Sequence, residues 1–218
     1  MDFRYAIFDL DGTLLDSMPV WDHLGERYLL HRDRTPRPDL REQIAAMDMR
    51  ESADYLISTY ALPVTPETLM REMNDMTLEA YRDCVQPKPG VPAYLAALRA
   101  RGIRMSVATA TDRPLVETAL HRLGLLDCFD GIFTCTEVGK SKRHPDIYFA
   151  AMDAMGGTVD ETMVFEDALH AIETAKAAGF AVTAVPDASA AKDEAAIRAL
   201  ADVWLGNFDH ALKNMKSV

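Results

Sequence analysis

The sequence predicts an α/β fold in which helices cover both faces of a parallel sheet and a helical segment is inserted. First, short apolar runs alternate with helical patterns over most of the chain, as in sheets whose strands are joined by crossover helices. Second, the stretch from about residue 17 to residue 85 contains helical patterns only. Third, the apolar runs end in polar residues, as expected at the ligand-binding edge of such a sheet.

Five apolar runs have the length of buried strands, and a sixth is weaker. They are YAIF (5–8), IRMSVA (103–108), GIFTC (131–135), TMVF (162–165), FAVTAV (180–185) and the weaker VWLG (203–206). Helical patterns fall between most of them, at 91–102, 113–124, 145–156 and 168–179. This alternation predicts a Rossmann-like arrangement of parallel strands.

The connection between the first two strands is far longer than a crossover needs. A crossover takes about a dozen residues or more, whereas this chain runs from Phe8 to Ile103 before the next strand begins. Proline and glycine punctuate the chain at 17–19 and at 86–90. We therefore predict an α/β core formed by residues 1–16 and 87–218, and an inserted helical domain formed by residues 17–86.

Composition and charge limit the classes of partner. The chain has 218 residues and a net charge of −11, which argues against a nucleic-acid partner because such proteins present a basic surface. The three cysteines, Cys84, Cys128 and Cys135, have no metal-binding spacing, and a reducing compartment suits them. The sequence contains neither a membrane-length apolar stretch nor the pattern of a signal peptide. We expect a cytoplasmic protein without a membrane partner, and the sequence specifies no oligomeric state.

Polar side chains follow four of the predicted strands. They are Asp9 and Asp11 after the first strand, Thr109 and Thr111 after the second, Lys142 after the third, and Glu166 and Asp167 after the fourth. The carboxyl ends of parallel strands meet at one edge of the sheet, so these groups are expected to converge there.

This set of side chains favours phosphate chemistry. Several carboxylates crowd together only when a cation offsets their charge, and oxygen ligands without histidine or cysteine favour Mg²⁺. Hydroxyl and backbone N–H groups beyond a strand suit a phosphate group. A lysine can neutralise the charge of a phosphoryl group in transfer, and a carboxylate can be the nucleophile that forms an aspartyl-phosphate.

Four motifs, in order, resemble those of the haloacid dehalogenase-like hydrolase superfamily, most of whose members are phosphatases. DLDGT resembles its first motif, Thr109 in SVATAT its second, Lys142 in KSKRHPDIY its third, and VFEDALHAIETAKAAGF its fourth. The helical insert resembles the cap domain of the subgroup that includes β-phosphoglucomutase and phosphoglycolate phosphatase. The resemblance covers nearly the whole chain, although Arg143 stands where the family usually has proline.

The resemblance implies a role for each motif position. Asp9 is expected to attack phosphorus and to bind Mg²⁺. Asp11 is expected to protonate the leaving oxygen, to activate the hydrolytic water, and to contact the metal through its carbonyl group. Thr109 and the N–H group of Ala110 are expected to hold the phosphoryl oxygens, while Lys142 steadies Asp9 and the phosphate.

The remaining candidates complete the predicted site. Glu166 and Asp167 are expected to complete the metal site, with Asp167 as the more direct ligand. Thr111 is expected to cap the next helix, with a phosphate contact as the alternative. Arg50 falls where sugar-phosphate members of the subgroup carry a cap arginine, so it is a candidate for substrate contact.

The leading hypothesis is a Mg²⁺-dependent phosphatase that hydrolyses a small phosphorylated metabolite through an aspartyl-phosphate intermediate. The alternative is a sugar phosphomutase of the β-phosphoglucomutase type, which would share every core residue. That enzyme carries a histidine in its cap hinge at the position of Trp21, with His23 two residues further on in this chain. Dehalogenase activity is disfavoured because those members lack the second aspartate, which is Asp11 here.

A third hypothesis, from another class, is a phospho-acceptor signalling module. Receiver domains of response regulators also combine an acidic Mg²⁺ site, a threonine or serine, and a lysine on a parallel sheet. Their acid pair is adjacent and their chain is much shorter. The spacing of Asp9 and Asp11 and the large insert therefore disfavour this class.

Overall fold

The computed structural model describes residues 3–44, 47 and 49–216. The chain forms two compact units, one made of Met1–Asp16 with Gln86–Val218 and the other of Ser17–Val85. They are termed the sheet unit and the helical unit below. The division falls one residue before the predicted boundary between residues 86 and 87.

Eight strands occur in the described part of the sheet unit. They are β1 (Tyr5–Phe8), β2 (Leu15–Asp16), β3 (Gln86–Pro87), β4 (Arg104–Thr109), β5 (Gly131–Thr134), β6 (Thr162–Glu166), β7 (Ala181–Ala184) and β8 (Val203–Trp204). Six of them form one sheet in the order β5-β4-β1-β6-β7-β8, and every neighbouring pair is parallel. The predicted parallel sheet is confirmed, and each predicted strand lies within two residues of its expected bounds.

Five helices occur in the described part of the helical unit. They are α1 (Met18–Asp22), α2 (Leu24–His31), α3 (Leu40–Ile44), α4 (Met49–Tyr60) and α5 (Pro66–Asp83). Thr65 caps α5 by accepting a hydrogen bond from the Thr68 N–H group at 3.2 Å. Leu56, Leu69 and Met73 contribute to a buried core within this unit. His23 separates the first two of these helices, as the C-cap of α1 and the N-cap of α2.

Seven further helices belong to the described sheet unit. They are α6 (Val91–Ala100), α7 (Arg113–Arg122), α8 (Cys135–Val138), α9 (Asp146–Met155), α10 (Leu169–Ala177), α11 (Glu194–Leu200) and α12 (Phe208–Lys216). The four predicted helices of this unit correspond to α6, α7, α9 and α10. Within the described ranges, no helix combines the length and the apolar character that crossing a bilayer requires.

Helices cover both faces of the sheet. Successive strand residues point to opposite faces, and Ile7 and Val164 pack into a buried cluster with residues of α9, α10 and α11. On the other face, the Phe8 and Phe165 rings stack with their centroids 4.3 Å apart. Tyr94 of α6 packs edge-on against Phe165 on that face. The prediction of a doubly covered sheet is therefore confirmed.

A two-stranded ribbon, which the sequence did not predict, lies where the chain passes from one unit to the other. Strand β2 pairs antiparallel with β3, so Asp16 stands opposite Gln86. The Lys88 N–H group extends this pairing by donating to the Leu14 carbonyl group at 2.9 Å. The chain therefore leaves the sheet unit and returns to it at adjacent positions. Strands β2 and β3, together with Lys88, are termed the connecting ribbon.

Candidate active site

Parallel pairing brings the ends of β1 and β6 together. In the register of the sheet, Phe8 lies level with Val107 on one side and Phe165 on the other. Asp9, the next residue, therefore emerges beside Glu166, the last residue of β6. The Asp9 N–H group donates to the Phe165 carbonyl group at 2.9 Å, which holds the two strand ends in this register.

The chain turns tightly directly after Asp9. Gly12 has a φ of +81°, in the left-handed region that glycine adopts without steric strain. The Gly12 N–H group donates to the Leu15 carbonyl group at 3.0 Å. The Leu14 and Leu15 N–H groups both donate to the Leu10 carbonyl group, at 2.9 and 2.8 Å. This closed turn, residues 10–15, is termed the acidic turn.

Four of the predicted side chains meet in one buried group, termed the carboxylate cluster: Asp9, Lys142, Glu166 and Asp167. One oxygen atom from each of the three carboxylates lies within 4.8 Å of the others. The Lys142 ammonium group donates to Oδ1 of Asp9 and to Oε1 of Glu166. All four side chains are buried, and Asp9 is 7% exposed.

Two buried hydroxyl groups that the sequence analysis did not single out contact this cluster. Thr13 Oγ1 donates to Oδ1 of Asp167 at 3.1 Å, and the Tyr148 hydroxyl group donates to Oε1 of Glu166 at 3.0 Å. Thr13 is the last residue of the DLDGT motif, so the resemblance of that motif could have identified it as a residue of the site. Tyr148 lies on α9 and reads from the sequence as an ordinary aromatic core residue.

The cluster carries an excess of negative charge. Burial raises the pKa of Asp9 from 3.8 to about 7; Lys142 opposes the rise, and Glu166 and Asp11 add to it. Burial also raises the pKa of Asp167 well above its ordinary value. For Lys142, burial alone lowers the pKa, but the Asp9 and Glu166 carboxylates outweigh it, so the pKa is raised and the ammonium group stays protonated.

These properties fit a magnesium ion. When all are ionised, the three carboxylates and one ammonium group leave two negative charges in excess, and a divalent cation would offset them. Carboxylate oxygens are the hard ligands that Mg²⁺ prefers. The pKa values of Asp9 and Asp167 are raised first by burial and then by neighbouring carboxylates, a setting in which a cation would be stabilised. Among the described residues, the side chains of Asp9, Glu166 and Asp167 could hold the ion, and the contact through the Asp11 carbonyl group stays a prediction.

A second group of side chains links Asp11 to the end of β4. The Thr111 hydroxyl group donates to Oδ2 of Asp11 at 2.6 Å, and the Thr111 N–H group donates to Oγ1 of Thr109 at 3.0 Å. The prediction that Thr111 caps the next helix is wrong, because Asp112 holds the N-cap position of α7. The Thr111 hydroxyl group bonds to Asp11 instead, because a hydrogen bond to a carboxylate is stronger than one to a neutral acceptor. Ala110, between the two threonines, is exposed.

Arg50 lies in the helical unit and already has acidic partners there. Its guanidinium group is 2.6 Å from Glu67 and 3.5 Å from Asp54. Trp21, at the position of the phosphomutase histidine, lies in the same unit, and its Nε1 donates to the Tyr81 hydroxyl group at 2.7 Å. A substrate contact by Arg50 therefore stays a prediction, and it requires exchange of these acidic partners for a polar group of the substrate.

Comparison with known proteins identifies the class to which this fold and site belong. A family model described as haloacid dehalogenase-like hydrolase matches residues 3–179. The chain belongs to this family. Fructose-1-phosphate phosphatase YqaB of Escherichia coli (strain K12) is 30% identical over 188 residues, which cover 81% of this chain and 94% of the relative. Hexitol phosphatase B of the same strain is 27% identical over 205 residues, or 93% and 91% of the two chains.

Solved structures with low sequence identity share the fold. The crystal structure of CbbY from Rhodobacter sphaeroides in complex with phosphate has a TM-score of 0.83 at 23% identity, covering 94% of this chain and 95% of that one. The structure of a putative beta-phosphoglucomutase from Thermotoga maritima has a TM-score of 0.77 at 24% identity, covering 100% of both chains. Together, the family match and the phosphatase relatives establish the protein as a phosphoric monoester hydrolase.

Proposed function

We propose that the protein is a Mg²⁺-dependent phosphatase that hydrolyses a small phosphorylated metabolite through an aspartyl-phosphate at Asp9. The carboxylate cluster carries this proposal, because it combines a lysine-held carboxylate with two further carboxylates at the sheet edge. Relatives are named as phosphatases of phosphorylated carbohydrates, of fructose 1-phosphate and of hexitols. These names support carbohydrate phosphates as the first substrates to test.

In the first step, Oδ2 of Asp9 attacks phosphorus while Lys142 holds Oδ1 of the same carboxylate. The phosphorus–oxygen bond to the substrate breaks, and the leaving oxygen takes a proton from the carboxyl group of Asp11. Thr109 and the N–H group of Ala110 are the groups that we assign to the phosphoryl oxygens. A bound Mg²⁺ supplies positive charge that offsets the carboxylates and the phosphoryl oxygens.

In the second step, water attacks phosphorus and gives its proton to Asp11, now a carboxylate. The bond between Asp9 and phosphorus breaks, which releases phosphate and restores both side chains. Thr111 donates to Asp11 and thereby holds the carboxylate on which both proton transfers depend. Asp11 therefore acts as acid and then as base, in the order that the two steps require.

We further propose that residues 17–86 form the cap domain that selects the substrate, with Arg50 as a contact for it. Arg50→Ala is expected to raise KM about tenfold or more for the preferred sugar phosphate, because a charge-assisted hydrogen bond contributes about 1.5–3 kcal/mol and about 1.4 kcal/mol corresponds to tenfold. KM for p-nitrophenyl phosphate, which has no second anchoring group, should change less than twofold. Arg41→Ala is the matched control, because Arg41 also pairs with an acid of its own unit, Asp22, at 3.0 Å. Equal effects of the two variants would exclude the assignment of Arg50.

The main experiment compares the wild type with Asp9→Asn on a panel of phosphorylated metabolites that begins with carbohydrate phosphates. Phosphate release is measured with and without Mg²⁺, and Asp153→Asn, which changes an exposed acid of α9, is the matched control. We expect Mg²⁺-dependent release by the wild type and the control, and loss of turnover in Asp9→Asn.

The same panel separates the competing functions. Phosphate release from none of the esters by the wild type would exclude a phosphatase. Interconversion of sugar phosphates without net release would favour the phosphomutase. Asp11→Asn is expected to slow turnover strongly or to accumulate the phosphorylated protein, and unchanged turnover would refute its acid–base role.

A further inference from the structure

We propose that Lys88 and Asp187 form a positioning pair that holds the acidic turn and the loop after β7 in register and so fixes the position of Asp167. Neither residue belongs to the carboxylate cluster. The inference rests on the proposed function insofar as Asp167 serves the phosphatase site. Its metal-binding test is independent of turnover.

The two side chains form a largely buried ion pair. Lys88 Nζ lies 2.8 Å from Oδ2 of Asp187 and donates to the Pro186 carbonyl group at 2.8 Å. The Lys88 and Asp187 side chains are 13% and 7% exposed. Lysine and aspartate are rarely buried to this degree unless they are paired. Removal of one partner would leave the other charge buried and uncompensated.

Asp187 is fixed at both carboxylate oxygens. While Lys88 contacts Oδ2, Oδ1 accepts hydrogen bonds from the Ser189 N–H group at 2.9 Å and from the Ser189 hydroxyl group at 2.6 Å. Burial by itself raises the pKa of Asp187, but the hydrogen bonds from Lys88 and Ser189 outweigh it, so the pKa is lowered. The Asp187 carboxylate is therefore ionised at neutral pH, and its geometry is held from both sides.

Lys88 also contacts the acidic turn through its backbone. Its N–H group donates to the Leu14 carbonyl group, and the Leu14 N–H group donates to the Leu10 carbonyl group, both at 2.9 Å. Thr13, next to Leu14 in this turn, donates to Oδ1 of Asp167. One residue of the connecting ribbon therefore holds, by its backbone, the segment that contacts Asp167.

The loop held by the Lys88 side chain contacts the same region from the other direction. The Val185 N–H group, two residues before Asp187, donates to the Glu166 carbonyl group at 2.8 Å. Asp167 and Asp187 line one small cleft. Lys88 therefore joins two segments that converge on Glu166 and Asp167, and its charge offsets that of Asp187, which lies near Asp167.

A second lysine–aspartate pair in the same unit provides a matched control. Lys176 Nζ lies 2.7 Å from Oδ2 of Asp202, and their side chains are 27% and 24% exposed. Oδ2 of Asp202 also accepts from the Val182 N–H group at 2.7 Å, near the amino end of β7. This pair joins the same strand at the end opposite Asp187. Its loss is therefore expected to lower stability without reaching the cluster.

The test compares Lys88→Met, Asp187→Asn and Lys176→Met with the wild type. Isothermal titration of the metal-free proteins with Mg²⁺ measures affinity without turnover. Hydrolysis of p-nitrophenyl phosphate at saturating Mg²⁺ gives kcat and KM, and thermal unfolding measures stability. Loss of a residue that supports a metal ligand typically costs about 10- to 100-fold in affinity or activity.

We expect Lys88→Met to weaken Mg²⁺ binding and to lower kcat, each about tenfold, with KM within about twofold. Asp187→Asn, which keeps the size of the side chain, should change both quantities in the same direction, by about threefold or more. Lys176→Met should leave both within about twofold, although its melting temperature falls.

Loss of stability in Lys88→Met with kcat and Mg²⁺ affinity like those of Lys176→Met would overturn the proposal. If Lys88→Met does not fold, Asp187→Asn decides: unchanged Mg²⁺ affinity in this variant overturns the positioning role. A wild type inactive on every ester would refute the proposed function instead, and the Mg²⁺ titrations would still test the pair.

Discussion

Replacement of Lys142 by methionine is the most direct perturbation of the carboxylate cluster. Methionine has a similar length but no charge, so the change removes the ammonium group and little volume. In the structure, this group contacts both Asp9 and Glu166, and all three side chains are buried. Lys142→Met therefore leaves three carboxylates together without a cationic side chain among them.

The size of the effect follows from burial. Removing one partner of a buried ion pair typically costs about 3–5 kcal/mol, because the remaining charge stays uncompensated. Since the pKa of Asp9 is already about 7, its protonation near neutral pH relieves part of that cost. We therefore expect a loss of about 3 kcal/mol in the unfolding free energy of the metal-free protein. Loss of a preorganised charge at the reacting group typically lowers kcat about 10²- to 10³-fold.

The assay pairs urea unfolding in EDTA with hydrolysis of p-nitrophenyl phosphate in saturating Mg²⁺. Lys140→Met is the matched control, because Lys140 precedes Lys142 by two residues and pairs with Asp146 at 2.7 Å while its side chain is 51% exposed. Exposed pairs contribute only about 0–1 kcal/mol. The control should therefore keep its stability within that range and its kcat within about twofold of the wild type.

Two results would refute this reasoning. A Lys142→Met variant with wild-type kcat would show that the buried ammonium group does not support the reaction. An equal loss of kcat in Lys140→Met would show that the whole loop, rather than the contact with Asp9, is responsible.

Three further changes test other features of the structure. In EDTA, the wild type should lose stability relative to Asp9→Asn as pH rises from about 5 to about 7.5, because burial raises the pKa of Asp9 to about 7 and the folded state therefore binds a proton that the unfolded state releases near pH 3.8. The measurement is the difference in melting temperature between the two proteins, since acids with lowered pKa values, such as Asp187, act in the opposite direction; a difference that does not change with pH would contradict the prediction. Ser106→Ala should raise the melting temperature by about 2–4 °C, because Ser106 Oγ is the buried side-chain polar atom that lacks a hydrogen-bond partner in the described ranges, and differential scanning calorimetry would detect the gain. Gly90→Ala should lower the melting temperature by more than about 4 °C, because Gly90 has a φ of +85° and a Cβ atom there would lie 2.6 Å from the Asp209 backbone nitrogen. Gly102→Ala, at a φ of +76° with no atom within 4 Å, should lower the melting temperature less, and equal losses in the two variants would exclude the clash.

The sequence predicted the sheet and most of the cluster because both leave local signals. The run YAIF is continuously apolar, as a doubly covered strand must be, and β1 has the same bounds as that run. Asp9 and Glu166 directly follow apolar runs and Asp167 comes next to Glu166, so the shared edge of parallel strands was enough to expect them together. Lys142 lies seven residues beyond the run GIFTC and was expected at the same edge, but its contact with Asp9 was expected only from the family resemblance, since a lysine in a loop has no periodic signal.

The parts that sequence reasoning missed depend on contacts across long stretches of chain. Strands β2 and β3 have two residues each, too few for an alternating pattern to be visible. Lys88 and Asp187 are far apart in sequence, and each reads alone as a loop charge. Thr111 was misassigned because threonine near a helix start suits a cap, and only the fold shows its hydroxyl group at Asp11.

The connecting ribbon has a consequence for how this fold can change over time. Because Asp16 and Gln86 are opposite each other, the chain leaves the sheet unit and returns to it at neighbouring positions, and the whole helical unit lies between them in sequence. An antiparallel pair of strands can equally be closed by a turn of about two residues. Shortening, lengthening or exchanging the chain between Asp16 and Gln86 would leave the strand order and the acidic turn intact. On the proposed assignment of substrate selection to the helical unit, the substrate could therefore change while the side chains of the carboxylate cluster stay in place.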